Sequence, residues 1–287
     1  MYGRIALLGV GLFSVTLFSP ASRAVDVYTD PVGFYQVPAL TNSDTFVSLP
    51  FLRIPEFRGK IASVLGNILT IAGPQSWSAN QWSTVTPNGY YPYFLLITSG
   101  TKAGAYYTIT NSTASALSVI QIPEDLSGVA VNDQVQVIPF ATLGYVFPGG
   151  TGVVATTSLG SRKTEVLAPN ISGLGINLGY SSTYFFFNSA WRKVGANVNS
   201  NYKDTVFLPD QYVVIRQNNG ADTTQVTAMG QVALSRIRIP LYSNSFGGPK
   251  QDNFVGLVRP SNYSLDQSGL TNAFTATTSL EIGRAHV

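Results

Sequence analysis

The chain has 287 residues, of which 45% are apolar, 12% aromatic and only 11% charged, with 27 Gly, 16 Pro, a single His and no Cys. So much apolar material with so little charge excludes a disordered polyelectrolyte and predicts one or more buried cores, and the missing cysteines exclude disulfides and thiolate-bound metals. The formal charge of +3 is too small to argue for nucleic acid or an anionic membrane as partner.

Residues 1–24 read as a secretory signal. Arg4 is followed by an uncharged apolar run over 5–18 and then by a small-x-small ending at Ala24. A run of that length falls short of the ~20 residues a membrane-spanning helix needs. At the other end, Glu281-Ile282-Gly283-Arg284-Ala285-His286-Val287 reads back into codons as the start of a common sequencing adapter. The heptapeptide is therefore expected to be read-through, with the natural chain continuing past Leu280 and with His286 foreign to it. Without both ends, 14 basic and 13 acidic side chains remain, and the exported protein is close to neutral.

Between the ends, no stretch keeps apolar residues at helical spacing for three turns. Short runs rich in Val, Ile, Thr, Tyr and Phe recur instead between Gly, Asn, Asp and Pro, which predicts an all-β chain with little helix. In chain order, the clearest hairpin pairs 60–65 with 68–72 through Gly66-Asn67, a dipeptide that tolerates the positive φ of a tight turn. Strands are predicted at 93–98, 105–110, 116–120 and 134–138. In the last, Val135 and Val137 share one face and Gln134 and Gln136 the other. Phe94-Leu95-Leu96-Ile97 is apolar on both faces, as a strand between two layers should be. Pro123-Glu124-Asp125-Leu126 reads as a single helical turn or a loop.

Pro148-Gly149-Gly150-Thr151-Gly152 is the strongest boundary signal. It divides the chain into an N-terminal β module over 25–150 and a second over 151–280, each a β-sandwich or small barrel. The second holds strands at 163–167, 183–187, 190–194, 211–216, 223–228 and 232–239, with a turn at Asn188-Ser189. Asp30-Pro31-Val32-Gly33-Phe34 has a faint echo in Asp252-Asn253-Phe254-Val255-Gly256-Leu257-Val258.

That opening string occurs together with Tyr106-Tyr107-Thr108-Ile109, Leu126-Ser127-Gly128-Val129, Arg162-Lys163-Thr164-Glu165, Gly175-Ile176-Asn177-Leu178, Ala190-Trp191-Arg192-Lys193-Val194-Gly195 and Lys250-Gln251-Asp252-Asn253-Phe254. The combination resembles a family of secreted proteins of no assigned activity, present as multiple paralogues in Verrucomicrobia. The resemblance covers nearly all of the chain after the signal. It implies export from a Gram-negative-type bacterium and carries no site residues over. Longer members repeat the Trp-Arg-Lys-like module, so the present chain is expected to stop where a second copy would begin.

With His286 set aside there is no imidazole for triad or metal chemistry. Glu56, Glu124 and Glu165 are then the only glutamates; a carboxylate pair is still open to the chain, but the neighbours Glu124 and Asp125 would face opposite sides of a strand. Gly173-Leu174-Gly175 lacks the remaining glycine and the helix of a phosphate loop. No enzymatic activity and no cofactor are expected. Asn219, Asp222, Asp204 and Asp210 supply oxygens for calcium, but the pattern suits turns better.

Aromatics are the informative surplus. Trp77, Trp82, Tyr90 and Tyr91 lie in a polar stretch where they either stack on sugar rings or cap the open end of a β core. Tyr184-Phe185-Phe186-Phe187 must bury one face and have the other covered by a neighbouring element or a partner. Arg162-Lys163 and Trp191-Arg192-Lys193 are too short for a nucleic-acid stripe and read as solvated strand ends, with stacking of guanidinium on indole open to Arg192. The sequence thus points to an exported, non-enzymatic β-rich protein of the cell envelope or its exterior, in surface structure, adhesion or assembly. A secreted glycan-binding module and an outer-membrane β-barrel are the alternatives. The partners admitted are a polysaccharide, other envelope proteins, or further copies joined through exposed aromatics.

Overall fold

Alternating apolar and polar residues punctuated by Gly, Asn and Pro produce strands almost exclusively. The computed structural model describes residues 30–75, 77–121, 124–241, 251–260, 264 and 266–267. Residues 1–24, expected to be a signal, Pro123 and the terminal heptapeptide with His286 lie outside the described residues.

The strands are β1 (Val32–Ala39), β2 (Asp44–Ser48), β3 (Phe51–Leu52), β4 (Phe57–Leu65), β5 (Ile68–Ile71), β6 (Tyr93–Ile97), β7 (Tyr106–Ser112), β8 (Ala116–Val119), β9 (Gln134–Pro139) and β10 (Ala141–Thr142). After the single-turn helix α1 (Leu143–Val146) come β11 (Thr164–Pro169), β12 (Tyr180–Phe187), β13 (Ala190–Lys193), β14 (Val206–Phe207), β15 (Tyr212–Gln217) and β16 (Thr224–Val232). The all-β expectation holds.

β4, β5, β8, β7, β6 and β9 close into a six-stranded antiparallel barrel. β4 makes the corner: its first half pairs with β9, its second half with β5, with a register shift between Ile61 and Ser63. Such an irregularity bends a strand enough to belong to two sheet directions. The predicted hairpin forms, with Gly66 at φ 60°. The barrel is filled by Ile61, Leu69, Leu95, Ile97, Tyr107, Ile109, Leu117, Val135 and Val137. Gly59 makes room inside for the Phe57 ring, which a Cβ at that position would approach to 2.6 Å.

The remaining strands build a sandwich. One sheet has the order β13-β12-β11-β15-β2, the other β1-β16-β3, and β10 pairs with β14. Val47, Val166, Tyr184, Trp191, Val213, Ile215 and Val226 are buried in one cluster with Leu143 and Phe147. A third cluster joins the two bodies: Phe94 and Leu96 on the outer face of β6 pack with Ile138, Phe140, Leu52 and Ala233. β6 is therefore apolar on both faces because Leu95 and Ile97 line the barrel while Phe94 and Leu96 meet the sandwich. The described residues from Pro31 onward belong to one compact unit.

The strand pairing departs from the division expected at residue 150. β1 pairs with β16 and β2 with β15, so strands from the first 52 residues complete sheets built from residues beyond 164. The barrel, 57–139, is inserted between them. Pro148-Gly149-Gly150 is a tight turn against the sandwich core: Gly150 has φ 81°, and a Cβ there would meet the Phe186 ring at 2.5 Å. Glycine that lets backbone approach an aromatic ring looks, in sequence, like a linker. Nor does the echo of the opening string extend to structure, since 32–34 begin β1 whereas 251–258 form no strand. The strands expected at 223–228 and 232–239 are one strand, β16, ending at Val232.

Candidate interaction surface

Of the four aromatic residues expected to stack on sugars or to cap a core, Trp77 and Trp82 are in place to cap. Residues 72–75 and 77–92 fold over the barrel end where β5 and β7 finish and β6 begins. Trp77 and Trp82 are only 6% and 2% exposed and belong to the barrel core. The Trp77 indole N–H donates to the Thr113 carbonyl at 2.6 Å, and the Trp82 amide donates to Ser112 Oγ at 3.1 Å. Edge-on contacts run from Phe57 through Trp77 and Trp82 to Tyr93, at 4.5, 6.2 and 5.2 Å between ring centroids. Sugar stacking needs an open ring face, and neither indole offers one.

Tyr90 and Tyr91 are half-buried. Burial first, and the neighbouring Tyr184 second, push the Tyr90 hydroxyl up to about 12. Next to it, Asn88 Nδ2 donates to the Asn201 carbonyl at 2.9 Å and to Asp204. The loop thus fastens the barrel to the sandwich.

Two of the residues weighed for calcium, Asp204 and Asp210, are engaged elsewhere, whereas Asn219 and Asp222 sit exposed at a turn. Asp204 holds Asn88, and Asp210 accepts from the Tyr106 hydroxyl at 2.8 Å. Among the described residues no three acidic or histidine side chains converge on one point. Burial holds the Asp210 carboxyl above the ordinary carboxylate value. It sits beside a recess of about 40 Å³ between the two bodies, room for about one water.

The Phe-rich strand behaves differently from a partner surface. Phe186 points into the sandwich, Phe185 is buried on the outer face beneath the Arg162 guanidinium at 5.9 Å, and Phe187 is half-buried. The stacking of Arg192 on Trp191 is also absent. Successive strand residues face opposite sides, so Trp191 packs on Phe147 and Phe186 in the core while Arg192 donates to the Ser200 carbonyl at 3.0 Å.

One exposed apolar patch lies on β1, a strand not expected from the sequence. β1 is the edge of its sheet. Val32 is 73% and Phe34 71% exposed, and Met229, opposite Phe34 on β16, is 61% exposed. Gly33, Tyr35, Val37 and Ala39 face inward; the Tyr35 hydroxyl donates to the Ser48 carbonyl, and burial pushes it up to about 12. Residues 31–43 and 223–235 contain no charged side chain, so β1 and β16 lack the Lys or Glu that commonly blunt a sheet edge. Beyond Met229, an apolar recess of about 100 Å³ opens between Phe51, Ala228 and Tyr145; the Arg53 guanidinium covers the Tyr145 ring at 4.9 Å.

The backbone sharpens this picture. The Val232 amide donates to the Pro31 carbonyl, which fixes 33, 35, 37 and 39 as the residues bonded to β16. The amides and carbonyls of Val32, Phe34 and Gln36 therefore point to the open edge. Pro38, which has no amide hydrogen to offer, falls on the same side, where a strand proline costs no ladder bond.

The sequence signal for this edge was present but weak. Val32-Gly33-Phe34-Tyr35-Gln36-Val37 alternates about a glycine and is followed by Pro38, features that demote a central strand and suit an edge strand. The chain matches no protein-family profile, no curated protein and no solved structure.

Proposed function

We propose that this chain is an exported, non-enzymatic β-rich protein of the bacterial cell envelope or exterior, working in surface structure, adhesion or assembly. The observation that carries the reading is the uncharged edge strand β1, with Val32 and Phe34 more than 70% exposed and, beside them, backbone groups that no described strand pairs. Soluble monomers rarely leave such an edge open. The absence of charge there favours contact with another protein surface over nucleic acid or an anionic lipid.

A lipid-spanning role for the barrel has no such support. Arg58 and Lys60 face outward on β4 opposite Gln136 and Gln134 of β9, whereas a lipid-facing band must be apolar. Most barrel strands are also shorter than the ~9–11 residues needed to cross; the longest, β4, bends at Ile61.

Fractionation of producing cells, followed with an antibody to the chain, tests the proposal. The protein is expected in the periplasmic, surface or extracellular fraction, in species heavier than a monomer. Recovery from the cytoplasm as a monomer overturns it.

A further inference from the structure

The assembly reading leaves open what pairs with β1, and the register of that edge answers it. We infer that the partner is a second copy of this chain, joined antiparallel β1 to β1 about a two-fold axis through Phe34. The inference rests on the proposed assembly role and specifies its contact.

Three features support it. First, an antiparallel pair needs the edge residues of one strand to meet the edge residues of the other. Val32, Phe34 and Gln36 form such a set, and the two-fold through Phe34 sets Val32 against Gln36 of the second copy, Phe34 against Phe34, and Gln36 against Val32. Neighbouring registers make only two complete pairs from these three residues, and sliding toward the C-terminus brings in Pro38, which lacks a donor. Second, the face is self-compatible in charge. Neither β1 nor β16 carries a charged residue, so two copies approach without the like-charge repulsion that disfavours self-pairing. Third, the side chains gain continuous cover. Phe34 and Met229 are directly opposite on one face, so pairing creates a row of Met229, Phe34, Phe34 and Met229 across the axis. Each three-stranded sheet becomes half of a six-stranded one, and the closed two-fold contact is the commonest symmetry among homo-oligomers.

A chain without cysteine allows a direct test. In a bonded antiparallel pair the facing Cα atoms are about 5.5 Å apart, inside disulfide range. Val32→Cys and Gln36→Cys versions of the exported chain should each stay unlinked alone, because identical positions would lie roughly 13 Å apart, four residues along the strand. Mixed, they should form a disulfide-linked pair. Phe34→Lys, at a site already open to solvent, should preserve the thermal transition and weaken self-association at least tenfold. Homo-disulfides of Val32→Cys, or no mixed disulfide in a chain that does associate, would overturn the register and leave the assembly reading standing. A chain that stays monomeric at every concentration would sink both.

Discussion

Replacing Trp82 by alanine separates the two roles that loop aromatics can play. In the structure the indole is 2% exposed and closes the end of the barrel between Trp77 and Tyr93. A ring of this type buries about 150–250 Å², which at about 25 cal/mol per Å² amounts to about 4–6 kcal/mol of transfer free energy before relaxation. Truncations of buried Trp or Phe to alanine cost about 3–5 kcal/mol, and two edge-on ring contacts are lost as well. Taking about 4 kcal/mol, the melting temperature should fall by about 8–16 °C for a chain of this size. The assay is thermal unfolding by circular dichroism, run beside retention on insoluble polysaccharides at a temperature where both proteins are folded. Retention should not depend on Trp82. A variant that melts within 2 °C of the parent, roughly, but loses retention would refute the keystone role and restore sugar stacking, since an exposed ring contributes little to stability.

Other perturbations probe other parts of the fold. Burial raises the Asp210 carboxyl, so the folded state releases that proton later than the unfolded chain does. Its unfavourable contribution is absent below the unfolded carboxylate range and grows as pH rises through it toward the raised value. The melting temperature of Asp210→Asn minus that of the parent should therefore become more positive from pH 3 to pH 7; a flat or falling difference contradicts this. Asp44 shows the opposite sign: hydrogen bonds from Arg216, two at 2.8 Å, lower its carboxyl despite partial burial, so its stabilisation is present above the unfolded value and lost as pH falls through the lowered one. Because both partners are more than a third exposed, Asp44→Asn should cost under about 1 kcal/mol at pH 7. Gly150→Val places a side chain at φ 81° against the Phe186 ring and should cost more than about 2 kcal/mol, while Gly149→Ala, at φ 60° with nothing within 4 Å, should cost only about 1 kcal/mol; equal losses in chemical denaturation would contradict the tight-turn assignment.

Local pattern made much of the fold legible. The barrel strands after Gly66 follow their predicted spans closely, because each is a short alternating run between turn residues, and Asn188 and Ser189, both at positive φ, turn where the dipeptide predicts. The two-faced apolar run of β6 even announces the contact between barrel and sandwich. What could not be read was pairing at long range: nothing local to Val32 or Asp44 says that their partners lie at Gln231 and Arg216. Glycines 150 and 152 were misleading for a related reason, since a linker and a close backbone approach demand the same residue. The aromatic residues illustrate the limit for sites. Composition reveals a surplus of rings but not which are buried, and Trp77, Trp82 and Phe185 proved internal while Phe34, in a string noted for its echo and its family resemblance, proved exposed.

Sedimentation velocity over a range of concentrations decides whether β1 is an assembly edge. The protein should shift with concentration toward twice the monomer mass, and Phe34→Lys should sediment as a folded monomer throughout. A parent that remains monomeric, or a Phe34→Lys variant that associates as strongly as the parent, would contradict the account.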